Sequence, residues 1–410
     1  MAELAERGPW DHLLVIPARR EAIRCLEALA RPPGRTLCVL VVNAGDDPVD
    51  RAQGRALSTA VAGASDPGEP TLVCAELGLE LYRSGDDARS SLPGDILLVD
   101  RWSPEHHFGP EGGVGLARKL GADLGVALEA HSALRSGWIH TTDADAILPA
   151  CHFERAEALA HASAAVAPFW HVPGGDPATD TATSHYELSL RYYVAGLRWA
   201  GSPYAFHTIG SLISVRSSAY VGVRGFPKRR AGEDFYLLNK LAKLGPIVRP
   251  EGPPVEIRAR RSTRAPFGTG PAVEALLGGD TLEVYDSRVF EVLRRCLLAL
   301  SEVADGGRLD TLEALTQEFS EVPELARCLA HARVQSGRLG HVPAQLERAL
   351  REHFDGFRTL KLIHDLTRAR WPKQSWVRAF EAAPFVDWSL GAPLDEQRRA
   401  LARLEDVPES

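Results

Sequence analysis

The sequence predicts an α/β protein: a mixed, mostly parallel sheet in the first two thirds, then an α-helical C-terminal domain. Three observations predict it. Short apolar runs alternate with stretches of helical spacing through the first half, the pattern of βαβ units. Several runs end at proline or at an acidic or amide residue, which closes a strand. Near residue 270 the strand signals stop and helical periodicity takes over. The boundary falls there, giving domains 1–270 and 271–410.

Each element follows from its residues. Leu13-Leu14-Val15-Ile16 is a strand expected to close at Pro17, because proline removes a ladder donor. Residues 21–30 place Ile23, Leu26 and Leu29 at helical spacing. Residues 36–42 form a second strand, followed by the turn cluster Asn43-Ala44-Gly45-Asp46-Asp47-Pro48. Residues 96–99 are a strand closed by Asp100, residues 115–136 a helix, and residues 138–142 a strand closed by Asp143. Beyond the boundary, helices are expected over 285–302, 309–319, 322–335, 342–353 and 357–369. In a mostly parallel sheet, ligands sit outside the carboxyl ends of the strands. Asn43, Asp46, Asp100, Asp143 and Asp145 stand at such ends.

Composition excludes several classes. The 410 residues carry 47 Lys+Arg against 54 Asp+Glu, and this net charge of −7 argues against sequence-independent nucleic-acid binding. No apolar run approaches the roughly 18 residues of a membrane helix, so no integral membrane segment is expected. The N-terminus lacks an apolar signal core, and the six cysteines form no CxxC pair. A reduced, cytoplasmic protein is expected. The acidity is uneven: residues 224–264 hold 11 Lys+Arg against 4 Asp+Glu.

Four motifs carry the chemistry. Thr141-Thr142-Asp143-Ala144-Asp145-Ala146 puts two carboxylates just past a strand, where both can reach one Mg²⁺ or Mn²⁺ shared with substrate phosphates. The competing reading is an ordinary acidic turn. Ala231-Gly232-Glu233-Asp234 opens an amphipathic helix; it offers either simple helix-start chemistry or a general base for an acceptor hydroxyl. Gly112-Gly113-Val114-Gly115-Leu116-Ala117-Arg118 can admit a phosphate with Arg118 to neutralise it, although the dinucleotide fingerprint is not met. Val15-Ile16-Pro17-Ala18-Arg19-Arg20-Glu21 is one strand–turn–helix junction.

In order and spacing these motifs resemble the family-two-like glycosyltransferases of the GT-A fold, over about residues 12–265. The resemblance implies a GT-A-like domain binding a UDP- or GDP-sugar. It places Pro17, Glu21 and Asp46 near base and ribose, and Asp100 and Arg118 near ribose or pyrophosphate, with Ala18, Arg19 and Asn43 also candidates to bind the nucleotide. It gives Asp145, helped by Asp143, the metal, and makes Asp234 the base of an inverting displacement supported by Glu233. The acid–acid–Ser pattern of the second motif is shifted here and contains Gly45. The Gln-x-x-Arg-Trp motif of processive synthases is absent, which favours a single transfer to a small, soluble acceptor. Residues 256–267 contain no histidine, so a metal histidine would be His207 or His140, each also readable as structural. Arg261 and Arg264 are candidates to close on the diphosphate or on an anionic acceptor, the alternative being a solvated loop. The rival functions are a sugar-phosphate nucleotidyltransferase and a non-catalytic nucleotide-sugar-binding scaffold. The helical domain could shape the acceptor site or form a homodimer.

Overall fold

The four-residue apolar runs are the middles of longer strands in the computed structural model of the chain. The structure describes residues 1–23, 26, 34–45, 47–65, 70–84, 92, 94–109, 112–229, 231–262, 268–306, 308–387 and 391–405. Asp46, Arg264 and most of the helix expected over 21–30 lie outside these residues.

The described residues divide into two compact units. The first comprises Met1–Gly174 and Thr208–Ala259; the second comprises Gly175–His207, Arg260–Ser262 and Gly268–Ser410. The strands of the first unit are β1 (His12–Ala18), β2 (Thr36–Asn43), β3 (Leu72–Cys74), β4 (Leu79–Tyr82), β5 (Asp95–Arg101), β6 (Trp138–Thr141), β7 (Ala146–Ile147), β8 (Ala164–Val166), β9 (Phe169–Val172), β10 (Ile213–Arg216), β11 (Ile247–Val248) and β12 (Val255–Arg258). Nine of them form one sheet in the order β11-β8-β10-β6-β1-β2-β5-β4-β3. Only β4 and β10 run against the other seven, so the sheet is mixed and mostly parallel. A second sheet has the order β7-β12-β9.

The central strands β1, β2 and β5 are buried on both faces, as parallel strands covered by helices must be. β1 does not stop at Pro17 but pairs with β2 through Ala18. The reason is local. Thr142 N–H donates to the Val15 carbonyl at 3.1 Å, so Val15 turns its backbone toward β6. By alternation Pro17 does the same, beyond Thr141, the last residue that β6 pairs with β1. The donor that proline lacks is not needed there.

The helix Val114–Ala130 packs on this sheet through its glycines. A Cβ on Gly121 would overlap Val15, and one on Gly125 would overlap Leu13. The spacing 121, 125 is one helical face, and the missing side chains let helix and strand approach closely. Gly125→Val is therefore expected to destabilise the first unit by about 1–3 kcal/mol through overpacking. A thermal melt would show it as a lowered midpoint, and an unshifted midpoint would contradict this packing.

The second unit is mainly helical, although the strand signals do not stop altogether at 270: Glu283–Val284 and Gln374–Ser375 pair as a short antiparallel ladder. Pro177–Trp199 belongs to this unit, and Asp176 caps the helix by accepting from Thr179 N–H at 3.3 Å. The helices Arg288–Gly306, Asp310–Glu318, Pro323–Leu339, Pro343–His353 and Gly356–Ala369 follow the expected pattern with shifted ends. The aromatic face of Pro177–Trp199 is core: Tyr192 is fully buried and stacks on Phe380 with ring centroids 4.9 Å apart. Among the described residues no helix is long and apolar enough to cross a membrane.

Candidate active site

Four parallel neighbours, β6, β1, β2 and β5, end along one edge of the large sheet. The registers Val15↔Thr141, Ala18↔Val42 and Asn43↔Arg101 align those ends. The residues at and just past these ends therefore line that edge: Asp143 and Asp145 after β6, Arg19 to Glu21 after β1, Asn43 at the end of β2 with Ala44, Gly45 and Asp47 beyond it, and Asp100 with Arg101 at the end of β5. This is where an open α/β sheet binds ligands.

The centre of the site is Arg118. Its side chain is buried, and its two terminal nitrogens donate to Glu233 Oε1 and Asp143 Oδ1. One guanidinium thus joins the acidic turn after β6 to the helix Glu233–Leu241, which begins 115 residues after Arg118. Glycines make the junction possible. A Cβ on Gly115 would stand 3.0 Å from Glu233 Cβ, and one on Gly210 would overlap the Arg118 guanidinium. Gly115 thus serves close packing, and the guanidinium is engaged with carboxylates. Gly232 enters the helix with φ 73°, the left-handed region that suits glycine.

Asp234 stands beside this pair. Burial, then the charge of Glu233, pushes its pKa up to about 7, against the opposing pull of Arg118. Its Oδ1 accepts from Phe235 N–H at 2.7 Å. An aspartate that exchanges a proton near neutral pH is suited to general base work.

The 143–145 turn is held at both ends. Ala146 N–H donates to the Asp143 carbonyl and Arg258 N–H to the Asp145 carbonyl, both at 3.1 Å. The Asp143 side chain is 36% exposed, so its carboxylate reaches solvent although Arg118 touches it. Asp143 and Asp145 offer hard oxygen donors of the kind Mg²⁺ and Mn²⁺ take. Among the described residues no three His, Cys, Asp or Glu are grouped to hold a metal alone. A cation here would draw one or two carboxylates from the chain and the rest from phosphate or water, the usual habit of these ions.

A second charged cluster, centred on a residue that the motifs did not mark, ties the ends of β1 and β2. Asp50 is buried in the first turn of the helix Pro48–Ala64. It accepts from Arg19 Nε at 2.7 Å, from Gly45 N at 3.1 Å, and from Arg20 Nε. Burial alone would raise its pKa; donation from Arg20, Gly45 and Arg19 outweighs this and holds it below the usual carboxylate range. Arg20, whose backbone is left-handed with φ 56°, also donates to Asp47 at 2.9 Å. Pro17 and Ala18 lie in β1, Asn43 is buried at the end of β2, and Glu21 is half-buried just past β1.

Other candidates have defined surroundings. Trp102 and Ser103 N–H both donate to Asp100 Oδ1 at 2.9 Å, so this carboxylate shapes its own turn. His140 is fully buried in β6, its Nδ1 2.8 Å from Ser214 Oγ. His207 belongs to the second unit, where its Nε2 lies 2.9 Å from Glu405 Oε1 in a buried ion cluster. Among the described residues it belongs to no group of three or more His, Cys, Asp or Glu that could hold a metal ion. Arg261, exposed and in the second unit, makes a two-point pair with Glu274 at 2.8 and 2.5 Å.

No family model matches the chain, and no curated protein matches it. Among solved structures it is similar to a mannosyltransferase from Pyrobaculum calidifontis in complex with GDP-Man and Mn²⁺. The match has 14% identity and a TM-score of 0.35, covering 91% of this chain and 93% of that one.

Proposed function

We propose that the protein is a metal-dependent, non-processive glycosyltransferase of GT-A type, moving a sugar from a UDP- or GDP-sugar to a small, soluble acceptor with inversion. One observation carries the reading: Arg118 joins Asp143, of the acidic turn at the sheet's carboxyl edge, to Glu233, the neighbour of Asp234. A donor diphosphate and an attacking hydroxyl need those two functions side by side. Asp234 would take the acceptor proton, and Glu233, fixed by Arg118, would keep it placed. Asp143 and Asp145 would hold Mg²⁺ or Mn²⁺, which when bound neutralises charge developing on the leaving diphosphate. The Asp50 cluster would set Arg19 and Arg20 against the nucleotide.

Thermal shift with UDP and GDP, each with and without Mn²⁺, tests the donor site. Stabilisation by nucleotide that depends on Mn²⁺ is expected. Turnover should release nucleoside diphosphate; release of pyrophosphate would mean nucleotidyl transfer instead, and no product with any donor would mean binding alone. Asp50→Asn is expected to raise the donor KM about tenfold or more with little change in kcat, because it loosens the guanidinium groups and not the base. Steady-state kinetics in donor would read this, and an unchanged KM would remove Asp50 from the donor site.

A further inference from the structure

Arg118 has two carboxylate partners of unequal access. Glu233 is buried, with a side chain 3% exposed, whereas that of Asp143 is 36% exposed. Only Asp143 can be offered to an ion arriving from solvent. The local charge invites one, because a single guanidinium faces Asp143, Glu233 and Asp234. The guanidinium itself is confined, since Gly210 packs so closely that any side chain there would overlap it. It also has a donor to spare: Arg118 Nε is buried with no hydrogen-bond acceptor among the described residues. That N–H lies on the same edge of the guanidinium as the nitrogen that holds Asp143, so release of Asp143 leaves the opposite terminal nitrogen on Glu233. Stripping a buried charge of every partner is costly, and Arg118 keeps the buried Glu233 when Asp143 leaves.

We propose that Arg118 competes with a divalent cation for Asp143, holding that carboxylate until the cation takes it and then remaining on Glu233. The inference rests on the reading of the site as a cation-assisted transferase. It makes Arg118 a positioning residue that keeps the acidic turn ordered and discourages cation binding until a nucleoside diphosphate adds its own oxygens.

The test is Mn²⁺ binding by the full chain, measured as loss of the free-ion electron paramagnetic resonance signal, alone and with GDP or UDP. Arg118→Gln is expected to tighten binding of Mn²⁺ alone at least about tenfold, the scale on which a neighbouring guanidinium alters proton binding to a carboxylate. A merely structural Arg118 would give the opposite sign, since its loss would let the turn drift. Arg118→Gln leaves Glu233 buried without its partner, so the double variant Arg118→Gln/Glu233→Gln is measured beside it; it replaces the buried pair by two amides and should also bind Mn²⁺ more tightly than the wild type. Equal or weaker binding by these variants, with wild-type binding intact, overturns the competition and leaves the transferase reading standing. Failure of the wild type to bind Mn²⁺ even with GDP or UDP overturns both.

Discussion

Asp234→Asn is expected to lower kcat by about 10²- to 10⁴-fold, the range for loss of a general base, while nucleotide binding with Mn²⁺ is kept. Amide and carboxylate have the same shape, so the change removes the proton acceptor and little else. The pH dependence follows from the sign of the shift. Burial and the Glu233 charge raise the Asp234 pKa to about 7, so the ionised form that accepts a proton is lost as pH falls below that value. Wild-type kcat should therefore drop on acidification through pH 7, and the residual rate of Asp234→Asn should lack that limb. The linkage runs the other way for stability. A carboxyl whose folded pKa is raised above 3.8 opposes folding once it ionises, increasingly as pH rises toward 7. Asp234→Asn should then melt higher than the wild type at pH 8. Normal turnover by this variant, or retention of configuration in the product, would show that the base lies elsewhere.

The largest expected effect on stability lies in the second unit. Glu187 accepts from Arg191 Nε at 2.8 Å and from Arg398 at 2.6 Å. Arg191 also donates to Glu405 at 2.6 Å, and His207 approaches Glu405 at 2.9 Å. This cluster joins the helices Pro177–Trp199 and Leu394–Leu404, and its guanidinium and carboxylate groups are almost wholly buried. Glu187→Ala leaves two buried guanidinium groups short of a partner. It is expected to cost about 3 kcal/mol, the low end for breaking a buried pair, because Arg191 keeps Glu405 and Arg398 keeps Asp395. In a unit of this size that lowers its melting midpoint by about 10 °C. Acid should act on the same cluster. Burial would raise the Glu405 pKa, but His207 and Arg191 outweigh it and depress it to about 2. Its contribution is complete above the ordinary value of 4.5 and is lost as pH falls from there toward 2. A calorimetric scan of Glu187→Ala with an unshifted midpoint would mean that the cluster does not hold these helices.

Much of the fold was legible because local patterns write it. Strands buried on both faces read as continuous apolar runs, and 13–16, 37–42 and 96–99 are such runs. Pro17 misled because its harmless place, facing β6 beyond the last pair, depends on where another strand stops. The helix Pro48–Ala64 went unread because its buried positions are Asp50, Gly54, Leu57 and Val61, only two of them large and apolar. Asp50 itself carried no motif. Its importance comes from three donors that arrive from two strand ends.

By itself the sequence determined the α/β class, the change to helices near 270 and the acidic and amide residues at strand ends. These follow from period, burial and strand-closing chemistry within a few residues of each position. Only the tertiary structure decided what those residues face. Arg118 meets Asp143 25 residues away and Glu233 115 away, and His207 meets Glu405 198 away. A charge pairs with whatever the packing brings within about 3 Å, and spacing along the chain sets no such distance. That is why Arg118 is placed between two carboxylates and His207 in a buried ion cluster.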